Sequence, residues 1–295
     1  MSSGSTCPLC RGQTEAAFRV GDRNREITSQ RFPYRRCSAC RTVFLAEIPE
    51  NLDAYYPDDY YGAPSLTDLD RAAGGEASKL ELIRPYAGDG ALVEIGPAFG
   101  VFARAAEQAG FQVTTIEMDA RCCDYLRDVV GVSAVCSDAP EEVLPELGHV
   151  RVVALWHVLE HLPRPWEVLA RAADALEPGG VLALATPNPD SLQFRLLGAR
   201  WAHVDAPRHL FLIPFPTLSA RMDGLGFDVG AVTTTDPAGT QWNAFGWEYA
   251  IRRHPARRPS TRLTRICARL LALGLAPLER RGMNGTAYTA VFVKR

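Results

Sequence analysis

Nowhere in its 295 residues does the chain hold an uninterrupted apolar run of the roughly 18 residues that a membrane-spanning helix needs. That argues against a helical span. The first residues, MSSGSTCPLC, are polar and lack the apolar core of a secretory signal, so a reducing, cytoplasmic setting is expected. No excess of one charge is present either: Lys and Arg total 32 against 34 Asp and Glu, for a net charge of −2. A general attraction to nucleic acid or to membranes is therefore not expected. There is no internal repeat and no long low-complexity tract, which speaks against a repeat architecture. What remains, 47% hydrophobic and 22% charged residues, is ordinary for a globular protein. The charge is spread unevenly: arginines outnumber acids at the front, and Tyr249 to Pro277 hold seven arginines and no acid.

In a reducing compartment the eight cysteines are expected to bind metal or pack in cores. Four of them form two C-x-x-C pairs, Cys7/Cys10 and Cys37/Cys40. That spacing turns both sulfurs of a tight knuckle towards one ion, and two knuckles supply the tetrahedral thiolate set that zinc prefers. RFPYRR before the second pair and TVFLA after it read as strands, so residues 1–48 are expected to form a zinc ribbon. A redox role is the weaker reading, because neither pair opens a helix after a buried strand. Cys122, Cys123, Cys136 and Cys267 have no such partners and are expected to be small buried residues.

Residues 49–75, rich in turn formers and aromatics, read as a linker or lid with short helical pieces. From residue 76 to the end, strands and helices alternate: strands at 91–95, 111–117, 150–156 and 181–187 are strongly apolar, and a helix at 164–176 is expected to stop at EPGG. This pattern predicts an α/β, Rossmann-like fold, a mostly parallel sheet covered on both faces, with an antiparallel last strand TAYTAVFVK. About fifty residues, roughly 240–283, are inserted before that strand.

In such a sheet the ligand lies beyond the carboxyl ends of the strands. The first strand runs into Glu94-Ile95-Gly96-Pro97-Ala98-Phe99-Gly100, a small-residue turn spaced unlike the dinucleotide fingerprint. An acid two places before the first glycine would repel a pyrophosphate and suits an ammonium group. Glu117, ending the next strand, can accept both hydrogen bonds of a ribose diol. Ser137 and Asp138 follow the third strand and are plausible partners for an adenine amino group.

The segments VEIGPAFGVF, TTIEMD, WHVLEHLPRP and LEPGGVLALATPNPDS resemble the successive motifs of class I S-adenosylmethionine-dependent methyltransferases, over about residues 76–235. The resemblance implies that Gly96, Ala98 and Gly100 cradle the methionine part of the cofactor, with Glu94 near its ammonium. Glu117 would hold the ribose, Met118 would pack on adenine, Asp138 would read its amino edge, and Ser137 and Trp156 would complete the lining. Ala98 departs from the family, which usually has glycine there. The WHVLEHL block resembles the branch containing ubiquinone-pathway O-methyltransferases. The front cysteines resemble the zinc module preceding this domain in some sugar C-methyltransferases, whose additional C-terminal domain has no counterpart in this sequence.

Methyl transfer asks the protein to position the acceptor and, where needed, to take its proton. His157, His161 and His209 are the candidate bases, with His203 beside them; His161 bracing a helix and His209 anchoring a loop are the plainer alternatives. His157-Val158-Leu159-Glu160-His161 matches the H-x-x-E-H pattern of inverted zinc peptidases, but Pro163 and Pro165 leave too little helix for that chemistry. Related quinone O-methyltransferases carry E-x-x-E-H here and can use a divalent ion, which His157, Glu160 and His161 could imitate. The loop GARWAHVDAPRHLFLIPF offers Trp201, Asp205, Arg208 and His209 for an acceptor pocket, and from the N-terminal side Tyr55, Tyr56, Tyr60 and Tyr61 could form a lid.

In the inserted segment, Leu263, Ile266, Leu270 and Leu271 share one helical face and Arg262, Arg265 and Arg269 another. A helix packed on the domain, an interfacial helix over 262–275 at an anionic membrane, and a dimer surface are all compatible with that pattern. The expected function is methyl transfer from S-adenosylmethionine to an oxygen or carbon of a small molecule (a glycan, lipid, quinone or secondary-metabolite precursor). The alternatives are a zinc-knuckle RNA methyltransferase, which Trp156-His157-Val158-Leu159 in place of an N/D-P-P-Y motif disfavours, and a non-catalytic cofactor-binding scaffold.

Overall fold

The computed structural model describes residues 6–57, 62–252 and 261–295. Its centre is a seven-stranded sheet. Five parallel strands, β4 (Ala91–Ile95), β5 (Gln112–Glu117), β6 (Ser133–Cys136), β7 (Val150–Trp156) and β8 (Leu176–Pro187), are extended by β10 (Phe227–Thr233) and β11 (Ala287–Lys294). The spatial order is β10-β11-β8-β7-β4-β5-β6, with β11 antiparallel to both neighbours. The chain moves from β4 to β5 and β6 on one side and from β7 to β8 on the other, so a crevice opens at the carboxyl ends of the neighbours β4 and β7, the switch point of an open α/β sheet.

Consecutive strand residues face opposite layers. Leu92, Val152 and Val181 pack with Phe102, Leu126 and Ile83, whereas Val93, Val153 and Leu182 pack with Leu169, Leu218 and Phe292. The strands are apolar on both faces because helices cover both. Those helices are α1 (Leu66–Gly74), α2 (Ala77–Ile83), α3 (Val101–Gln108), α4 (Ala120–Tyr125), α5 (Pro140–Val143), α6 (Pro165–Ala175), α7 (Leu192–Leu197) and α8 (Phe215–Gly224). The helix expected to run to EPGG ends at Ala175, and Leu176 already begins β8. A register shift between Val150 and Val152 absorbs the Pro-Gly-Gly within that strand.

At the front, β1 (Thr14–Gly21), β2 (Arg31–Cys37) and β3 (Val43–Leu45) form an antiparallel sheet. Its fourth strand, β9 (Phe211–Leu212), comes from the loop after α7, pairing Val43 with Leu212 and Phe44 with Phe211. Phe32, Tyr34 and Phe44 join the same core as Leu155 and Leu184 of the large sheet. The helical piece expected within the 49–75 linker is helix α1: Ser65 caps it, and Asp70 receives Arg104 of α3.

The insertion between β10 and β11 is a helix pair, α9 (Pro237–Ile251) and α10 (Arg262–Glu279). Two cysteine expectations fail. Cys122 and Cys123 are buried, but Cys136 and Cys267 are exposed, because β6 is the sheet's edge and α10 is largely solvated.

Candidate cofactor and acceptor site

A cavity of about 1000 Å³ opens at the switch point, and Glu94 and Glu117 both line it. Glu94 ends β4 almost fully buried, and its Oε2 has no hydrogen-bond partner. Burial pushes its pKa up to about 8, against the pull of nearby Lys79. Lys79 is itself paired with Glu76 and lies over the Trp156 ring at 4.6 Å. A buried carboxylate without a partner is costly, and a cationic ligand group would relieve it.

Gly96 follows at φ 66°, where a Cβ would meet Val158 at 2.6 Å; only glycine lets the turn pass so close to the strand β7 loop. Ala98 holds a left-handed φ of 50°, the cost of alanine where the family has glycine. Its N–H donates to Glu117 Oε2 at 2.9 Å, while Met118 and Asp119 donate to Oε1. These bonds fix the Glu117 carboxylate at the cavity wall, and burial raises its pKa. Ser137, Asp138, Trp156 and Met118 also line the cavity, with Met118 half-exposed. Gly100 instead caps α3 at φ 76° behind the wall.

Four histidines meet at the other end. His157, at a left-handed φ of 58° just beyond β7, brings Nδ1 to 3.4 Å from Glu160 Oε1. Glu160 is fully buried; burial opposes its charge, but the neighbouring imidazoles, His157 foremost and then His209 and His161, outweigh it and hold the carboxyl at about 2. Glu160 Oε1 has no formed hydrogen bond, and a proton on His157 Nδ1 would supply one, since a carboxylate can only accept. His161 Nδ1 lies 3.1 Å from Arg208 O and 3.0 Å from the Tyr56 hydroxyl, and His209 Nδ1 lies 2.8 Å from His203 O. Carbonyls also only accept, which leaves the Nε2 lone pairs of His161 and His209 free. Burial pushes His161 down to about 4 and His203 to about 3, with the neighbouring His209 imidazole acting in the same direction, so each is neutral near pH 7. Ligand atoms of Glu160, His161 and His209 lie within 4.8 Å of one another. The sequence reading grouped His157 with Glu160 and His161 as a metal set; the compact set has His209 in its place.

Of the expected acceptor residues, Asp205 lines the cavity, whereas Trp201 and Arg208 sit behind the wall. Arg208 is wholly buried between Asp205 and Asp22, and Trp201 packs on Phe194 and His203. Tyr56 reaches the wall, Tyr55 packs on Phe32, and Tyr60 and Tyr61 lie outside the described residues. Sequence reasoning missed Asn24 and Arg25 of the β1–β2 turn, and Trp242, Phe245 and Tyr249 of α9. The turn carried no motif, and α9 shows little one-sided apolar pattern because its aromatic and small residues are spread around the helix.

At the front, the Sγ atoms of Cys7, Cys10, Cys37 and Cys40 cluster within 4.8 Å of one another, with Cys7 3.7 Å from Cys40 and Cys10 3.4 Å from Cys37. Sulfurs about 2.3 Å from a tetrahedral zinc stand a little under 4 Å apart, so the cluster fits that ion. Burial raises the Cys7 thiol well above its ordinary range, a cost that a cation among the sulfurs offsets.

A family profile described as a methyltransferase domain matches residues 69–232, more than half the chain. The chain belongs to the methyltransferase domain family. A ubiquinone biosynthesis O-methyltransferase of Bordetella avium is 29% identical to this methyltransferase over 140 residues, 44% of this chain and 58% of the relative. One from Pseudomonas aeruginosa is 30% identical over 124 residues, covering 40% and 53%. The chain thus spans about half the length of the curated relatives it matches. A SAM-dependent methyltransferase structure from Archaeoglobus fulgidus superposes on the methyltransferase with a TM-score of 0.52 at 18% identity, covering 77% of this chain and 94% of that one. At that identity the likeness shows the shared fold.

Proposed function

We propose that this methyltransferase moves a methyl group from S-adenosylmethionine to a hydroxyl oxygen of a small acceptor, with the His157–Glu160 pair taking the hydroxyl proton. One observation carries the reading: Glu94, whose buried Oε2 has no partner, and Glu117, fixed at the wall, share a single cavity with an imidazole that faces a buried carboxylate. Bound there, the cofactor supplies a sulfonium-activated methyl group for in-line displacement.

Glu94 Oε2 would take the cofactor's ammonium, Glu117 its ribose diol, Met118 one face of its adenine, and Ser137 and Asp138 the adenine edge, with Gly96 and Ala98 giving close backbone approach. At the acceptor end, Glu160 holds His157 Nδ1–H, turning the Nε2 lone pair to the incoming hydroxyl. Glu160 stays ionised and stabilises the imidazolium without taking the proton itself, as in other carboxylate–histidine pairs. The Nε2 atoms of His161 and His209 accept hydrogen bonds, so the acceptor presents further hydroxyl donors. The O-methyltransferase name of the relatives supports oxygen as the methylated atom.

Cys7, Cys10, Cys37 and Cys40 would hold a structural zinc ion, and open thiols suit a reducing, cytoplasmic setting. Calorimetry of the zinc-loaded protein with S-adenosylmethionine tests the reading, with loss of binding expected in Glu94→Ala.

The lone pairs of Glu160, His161 and His209 favour a second occupant, a divalent cation, because each imidazole donates its other nitrogen to a carbonyl as metal ligands do. Mn²⁺ titration followed by its paramagnetic signal separates the two. One bound ion that disappears in His209→Ala supports the cation, and no bound ion leaves hydroxyl recognition in place.

A further inference from the structure

Helix α10 carries its apolar residues on the side turned away from the protein. Ala268 and Glu279 are buried against the domain, at 3% and 2% exposure, whereas Leu263, Leu270 and Leu273 are 70%, 65% and 73% exposed. Ile266, Leu271 and Leu278 are exposed as well. At 100° per residue, Leu273, Ile266, Leu270, Leu263, Leu278 and Leu271 fan across one broad arc whose centre lies opposite Ala268. Of the three readings open to the sequence, a helix that packs its apolar face on the domain does not hold: α10 anchors through Ala268 and through Glu279, which accepts from Gln193 and Trp247.

Arg262, Arg265 and Arg269 run along one edge of this arc, each one position before a large apolar residue. From Tyr249 to Pro277 the sequence has seven arginines and no acid. This charge decides between the remaining occupants. A second copy laid face to face would bring arginines against arginines, with no acid in either segment to pair them. An anionic lipid surface offers phosphates to the arginines and acyl chains to the leucines, and long arginine stems can reach up to the headgroups while leucines sink. No helix among the described residues is long and apolar enough to cross a membrane, so α10 would lie along the surface. α10 packs on α9, whose Trp242 and Phe245 line the cavity and are themselves exposed at 37% and 44%.

We propose that α10 is a membrane-surface helix: its leucine arc enters the headgroup layer of an anionic bilayer, and its arginines bind the lipid phosphates, holding the α9 wall of the cavity near that surface. This binding is independent of the methyl-transfer reading, and the two fail separately.

The test is sedimentation of the full-length protein with vesicles of phosphatidylcholine alone, and of phosphatidylcholine mixed with phosphatidylglycerol. Binding to the mixed vesicles is expected, weakened by salt, with a Kd at least ~10-fold lower than for phosphatidylcholine alone, since each arginine near an anionic surface is worth about a fivefold gain. Leu263→Glu/Leu270→Glu should abolish it, and Arg262→Gln/Arg265→Gln/Arg269→Gln should reduce it about a hundredfold. S-adenosylmethionine binding by the same preparations shows that the variants are folded. Failure to bind anionic vesicles, or binding unchanged in the Leu263→Glu/Leu270→Glu variant, overturns the proposal. So does a dimer in sedimentation velocity that the same variant dissolves, which would assign the face to a second copy.

Discussion

Asp22 and Arg208, 186 positions apart, form an ion pair at 2.6 Å with both side chains wholly excluded from water. Asp22 also accepts from the N–H groups of Arg25 and Ile27, and so shapes the turn that places Asn24 and Arg25 on the cavity wall. Arg208 is held from its other side by Asp205, itself on that wall. The pair ties the cysteine-bearing sheet to the acceptor loop.

Breaking a buried pair by removing one partner leaves an uncompensated charge, at a cost of about 3–5 kcal/mol. Asp22→Ala is expected to lower stability by that order in urea titrations. Arg71→Ala, which removes the exposed pair with Asp68, should cost under ~1 kcal/mol. Equal effects would mean that the buried pair does not latch the module.

Glu94 gives the site a proton signature. Free, its pKa stands near 8, so the carboxyl is mostly protonated at pH 7. An ammonium placed against it favours the charged form and lowers that pKa. Cofactor binding at pH 7 should therefore release close to one proton, read as a dependence of calorimetric heat on buffer ionisation enthalpy. The release should vanish in Glu94→Gln, and affinity should fall as pH drops from 8 to 6.

The roles given to the histidines separate kinetically. His157→Ala removes the proton acceptor and is expected to lower kcat by ~10²–10⁴-fold with cofactor affinity retained. His209→Asn, which alters only hydroxyl recognition, should act mainly on KM. The opposite pattern would move the base to His209.

Zinc in the four-cysteine cluster is expected at one ion per chain and should be lost in Cys7→Ser/Cys37→Ser. Because Phe32, Tyr34 and Phe44 pack into the core shared with the large sheet, chelation should lower Tm for the whole protein in one transition. A separate low-temperature transition would contradict that coupling.

Much of this arrangement was legible in the sequence. Strands apolar on both faces announced a covered parallel sheet, and the acids placed at the tips of successive strands, Glu94 and Glu117, do line one crevice. The acceptor end was less legible. Its residues come from the β1–β2 turn, the loop after α7 and helix α9, and nothing local tells Asn24 that it will donate to Ala202 O, 178 residues away. The plainer expectations for His161 and His209 also proved physically informative: both rings are braced by backbone carbonyls, and that bracing is what frees their Nε2 atoms. For Arg208, a charged loop residue read as an acceptor contact, the deciding fact was a partner 186 residues away.

The most direct measurement is isothermal calorimetry of S-adenosylmethionine with the wild-type protein, Glu94→Ala and Glu117→Ala side by side. One cofactor per chain in the wild type, with at least ~10-fold weaker binding in each variant as buried charged contacts are lost, is the expected result. Absence of binding in the zinc-loaded wild type, or equal affinity in all three proteins, would contradict the assignment of this crevice to the methyl donor.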